Sequence, residues 1–63
     1  MFRLQGESPA GFLRFLQVSK EAGGDLKLSI FDEGEDRPKA EIVLSAADLL
    51  PALSKLTGVA GAP

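Results

Sequence analysis

The residues able to do chemistry in this chain are few and of one kind. Arg3, Arg14 and Lys27 are cations set in strand-like segments, and Phe15 and Phe31 are rings in the same segments. Such a set suits a single-stranded nucleic acid, with cations meeting phosphates and rings meeting base faces. Arg3, Arg14, Phe15, Lys27 and Phe31 are therefore the candidate nucleic-acid-binding residues. Their plainer roles stand beside this one. Phe12, Phe15 and Phe31 serve as packing in a small core, and the cations keep strand faces and edges soluble and unpaired.

Catalytic chemistry has no such set. The chain has no His and no Cys, so it lacks a base that would activate a serine near neutral pH, and it lacks thiolate metal ligands. Ser54 and Lys55 are neighbours on a helix and point apart. The acidic stretch Asp32-Glu33-Gly34-Glu35-Asp36 lacks the spacing and closing bidentate Glu of a calcium loop. It reads as a solvated hairpin loop that guards a sheet edge or repels wrong partners. Gly23-Gly24 lacks the following Lys-Ser/Thr of a phosphate loop and reads as a turn. The expectation is a non-enzyme with no metal, no cofactor and no evident small-molecule substrate.

Size narrows the choice further. Sixty-three residues make one domain with a marginal core, which usually needs a disulfide, a metal or a partner. Without cysteine or histidine, self-association is the remedy left, so a homodimer is expected. No segment resembles a signal peptide or reaches the ~20 apolar residues of a membrane helix, and the lack of cysteine fits a cytoplasmic setting. Net charge is -2, from seven basic and nine acidic residues. Four of the acids lie in residues 32–38 with Arg37; without that stretch six basic and five acidic residues give +1. The body is thus near neutral, which permits a basic strip without requiring one.

The elements that must position these residues follow from the pattern. Met1–Glu7 alternates in part and predicts a first strand. Ser8-Pro9-Ala10-Gly11 is a turn. Phe12–Lys20 is a second strand, apolar on both sides of its first half, which leaves open whether Phe15 with Leu13 and Gln17, or Arg14 with Phe12, faces the binding side. Leu26–Phe31 alternates cleanly, with Leu26, Leu28 and Ile30 inward and Lys27, Ser29 and Phe31 outward. Lys39–Leu44 is the fourth strand. Ser45 then opens a loose turn into a helix regular from about Asp48, a start that keeps Pro51 in the first turn. Leu49, Leu50, Leu53 and Leu56 form its apolar stripe, expected as core against the sheet, and Gly58 stops it. The fold class is α+β: a curved antiparallel sheet of about four strands (ββββα) with one C-terminal helix packed across one face. Residues 1–58 form this domain and residues 59–63 a disordered tail.

This order resembles known families. Gly11-Phe12-Leu13-Arg14-Phe15-Leu16 is similar to the opening of a strand in the Pur-alpha repeat. Ala40-Glu41-Ile42-Val43-Leu44-Ser45, leading into Leu49, Leu53 and Leu56, is similar to its strand-to-helix junction. Whirly proteins and the positive-cofactor-four coactivators share the general order. Two departures stand out: no basic residue follows Gly11, and the loop at 32–36 is acidic. The resemblance implies a homodimer that binds single-stranded DNA or RNA on its open sheet face. The alternative is a protein-interaction module whose open face is consumed by self-association or by a protein partner.

Overall fold

A computed structural model of the protein describes residues 1–58, and the tail expected at 59–63 lies outside the described residues. Four strands, β1 (Phe2–Glu7), β2 (Leu13–Lys20), β3 (Asp25–Asp32) and β4 (Ala40–Ser45), are followed by one helix, α1 (Ala46–Thr57). Each strand pairs antiparallel with the next, in the order β1-β2-β3-β4. The fold is the expected α+β meander with a C-terminal helix.

Local chemistry sets the connections. The Ser8 N–H donates to the Phe12 carbonyl, the Ser8 carbonyl accepts from Gly11, and the Ser8 hydroxyl accepts from the Phe12 N–H at 3.1 Å. These bonds hold Phe12 in the turn, so β2 starts one residue later than its apolar pattern predicts. The acidic loop turns on Gly34, whose φ of 79° suits a residue without Cβ. Lys39 then returns its N–H to the Ile30 carbonyl.

The register assigns every side chain to a face, because cross-strand partners point the same way. Phe2, Val18, Leu28 and Ile42 form one row across all four strands, and Leu4, Leu16, Ile30 and Ala40 form the next. Leu26 and Leu44 extend this apolar face at one end beside Lys20, while Arg14 and Asp32 close the other. The opposite face carries Arg3, Gln5 and Glu7 from β1, Leu13, Phe15, Gln17 and Ser19 from β2, Asp25, Lys27, Ser29 and Phe31 from β3, and Glu41, Val43 and Ser45 from β4.

The helix differs from expectation in two ways. It starts at Ala46, not near Asp48. Ser45 is its N-cap, with the hydroxyl accepting from the Ala47 N–H at 3.1 Å, and Asp48 sits in the first turn where a carboxylate suits the dipole. Pro51 therefore lies inside the helix and offers no N–H to the Ala47 carbonyl. Pro51→Ala is expected to raise helicity and to stabilise the fold by up to about 3 kcal/mol, measured by circular dichroism during urea unfolding. At the far end Gly58, at φ 71°, donates its N–H to the Ser54 carbonyl at 3.0 Å, a left-handed cap that a side chain would strain.

The second difference concerns packing. α1 meets the sheet chiefly at β4, and Leu50, Leu53 and Leu56 stay exposed, Leu56 at 84%. Of the expected stripe only Leu49 is half-buried, so the stripe as a whole is not core within one chain. A helix that leaves from the end of an edge strand reaches little of the sheet, and the cover it was expected to give is not made. The result is a plate whose shortest dimension is 15 Å. Its radius of gyration is 13.0 Å, against about 10.6 Å for a compact domain of this length.

Candidate binding surfaces

The polar face is built on two rings and one guanidinium. Phe15 and Phe31 are direct cross-strand partners. The Arg3 guanidinium lies 4.7 Å from the Phe15 ring centre and 5.1 Å from that of Phe31, within cation–π range of both. Phe31 is only 8% exposed. It was expected to face outward, and it does point to the polar side, yet it is the buried apolar residue of the described chain because Arg3 and Phe15 cover it. A ring so covered is packing first.

Beside this cluster lies a charged network. Ser29, 3% exposed, donates its hydroxyl to Glu41 Oε2 at 3.1 Å, and Lys27 Nζ sits 3.1 Å from the same oxygen. The hydrogen bonds from Lys27 and Ser29 hold the Glu41 carboxyl below its ordinary value of 4.5. A depressed carboxylate contributes stability above its unfolded pKa and loses that contribution as pH falls through the lower folded value. The unfolding midpoint of the parent chain is therefore expected to drop on acidification below about pH 4.5. In Glu41→Gln that drop is shallower, as urea titrations at stepped pH will read.

The structure brings four of the five candidate residues, Arg3, Phe15, Lys27 and Phe31, to one face and leaves Arg14 on the other. The parity of β2 decides this: Leu13, Phe15 and Gln17 share the polar face, while Arg14 lies level with Gly6 and Asp32. Arg14 Nε stands 2.8 Å from Asp32 Oδ1, though the out-of-solvent Nε–H does not point at an acceptor, and Lys39 Nζ is 3.4 Å from Asp32 Oδ2. An ion pair this exposed contributes little stability, but it occupies the guanidinium. On the strands of the polar face Arg3 and Lys27 are outnumbered by Glu7, Asp25 and Glu41. That balance does not favour a polyanion.

The apolar face carries most of the exposed large apolar side chains of the strands, and of the candidate residues only Arg14, at its end, lies on it. Phe2, Leu4, Ile30 and Ile42 are exposed, Phe2 at 75% and Ile42 at 58%, while Leu16, Val18 and Leu28 between them are half-buried. The signal was present in the partial alternation of Phe2 and Leu4 and in Ala40, Ile42 and Leu44. Among the described residues no three acidic side chains gather as a metal site, and no helix is long and apolar enough to cross a membrane. Comparison with family models, with curated proteins and with solved structures finds no match.

Proposed function

We propose that the chain is a non-catalytic protein-interaction module whose apolar sheet face receives another protein surface, in a cytoplasmic setting. One observation carries this reading. Two unbroken apolar rows cross all four strands, and Phe31, on the opposite face, is the buried apolar side chain of the described residues. Contiguous exposed apolar surface of this kind marks an interaction site. Leu50, Leu53 and Leu56 on α1 are exposed as well.

A second reading, binding of single-stranded DNA or RNA, is favoured by the gathering of Arg3, Phe15, Lys27 and Phe31 on one face, and it agrees with the resemblance to the Pur-alpha repeat. Against it stand the acidic excess of that face, the Lys27–Glu41 pair and the covered Phe31 ring. Titration of labelled oligo-dT in low salt separates the two. The interaction reading expects no shift at high micromolar protein. Binding that weakens linearly in log salt, and that Arg3→Ala and Lys27→Ala abolish, would install the nucleic-acid reading in its place.

A further inference from the structure

We propose that the occupant of the apolar face is a second copy of this chain, the two sheets stacked face to face about a two-fold axis. This rests on the interaction reading and names its partner.

Area is the first argument. The chain exposes 5063 Å², whereas a compact protein of its mass exposes about 3,900 Å². The excess, about 1,200 Å² over the whole chain, leaves room for the roughly 800 Å² that each partner contributes to a standard interface. A lone plate lacks one layer, and a second plate supplies it. Facing sheets pack about 10 Å apart and interdigitate their inner side chains.

Charge is the second argument. A two-fold interface presents the same patch to itself, so the patch must not repel its own image. The middle of the face, Phe2, Leu4, Leu16, Leu28, Ile30 and Ile42, carries no charge. Ionisable groups lie only at the ends, Lys20 at one and Arg14, Asp32 and Lys39 at the other. A polar or charged partner has nothing to meet there, and an apolar copy has everything.

Dependence is the third. A chain with so little interior has no evident means of staying folded alone, so the partner must be present wherever the chain is made. A second copy meets that condition without a second protein, and obligate homodimers commonly lack a stable folded monomer.

Light scattering on the full chain, with binding of an apolar-surface dye, tests the proposal. The parent is expected at twice the chain mass, binding less dye per chain than any variant that separates into single chains. Ile42→Glu and Phe2→Glu place two like charges in the interface and raise the dimer dissociation constant at least about a hundredfold. Gln5→Glu puts the same charge on the polar face and leaves the dimer intact. Should the charged variants unfold, Ile42→Ala and Phe2→Ala keep the face apolar and raise the constant about tenfold each. A folded particle of single-chain mass that binds the dye overturns self-pairing and leaves the face to a different protein. The same particle without dye binding overturns the interaction reading as well. A dimer indifferent to Ile42 and Phe2, as sheet-edge pairing would give, overturns the proposal.

Discussion

Phe31→Ala is expected to unfold the protein at room temperature or bring it to the edge of unfolding. Truncating a buried Phe typically costs about 3–5 kcal/mol, while a domain of this length holds in all about 3–9 kcal/mol. Phe31 is the one apolar side chain of the described residues that the single chain buries, at 8% exposure. It joins Phe15 across the central strand pair and Arg3 above both. Its loss removes the packing of β2 on β3 and leaves the guanidinium without a platform. Arg3→Ala keeps both rings and loses only the cation–π contact, about 0.5–2 kcal/mol. Urea unfolding followed by circular dichroism ranks the two. A Phe31→Ala chain as stable as its parent would show that the ring is a surface platform and not a packing residue.

The second large effect is on the concentration dependence of unfolding. If folding and pairing are one event, each tenfold rise in protein concentration adds about 1.4 kcal/mol to the apparent stability of the pair. With the usual unfolding enthalpy for two chains of this length, that is about 5 °C in the thermal midpoint per tenfold, or about 10 °C over a hundredfold range. Calorimetry at 10-fold steps reads it directly (the ~10-fold spacing suits the logarithmic law). A midpoint that ignores concentration belongs to a chain stable by itself, and no such chain follows from a plate with two open faces.

The strand pattern was legible wherever polar and apolar residues alternated. In β3 the partition of Leu26, Leu28 and Ile30 from Lys27, Ser29 and Phe31 is the one observed. In β2 it was not legible, because Leu13, Phe15, Leu16 and Val18 put apolar groups on both sides and a shift of one residue exchanges them. Only pairing with β1 and β3 decides that Phe15 joins Arg3 and that Arg14 goes to the other face. The helix start was misjudged because Pro51 was weighed as a breaker, whereas the Ser45 cap and two alanines nucleate the turn before it. The fate of the leucine stripe was hidden for a different reason. Amphipathicity states that a face will be covered, but not whether the cover comes from the same chain. The same limit applied to the sheet: the apolar parity was readable, and the assumption that a twelve-residue helix would hide it was not. Phe31 shows the reverse case, a ring on the polar parity that becomes packing because Arg3 lies over it.

Proximity across the apolar face is the most direct measure of whether two copies meet there. The chain has no cysteine of its own, so single cysteines report without background. Ile30→Cys sits near the centre of the apolar face and Gln17→Cys on the polar face. With a short bis-maleimide at low micromolar protein, Ile30→Cys is expected to give a covalent dimer in high yield and Gln17→Cys almost none. Equal yields at the two positions, or a covalent dimer only from Gln17→Cys, would contradict face-to-face pairing of the two sheets.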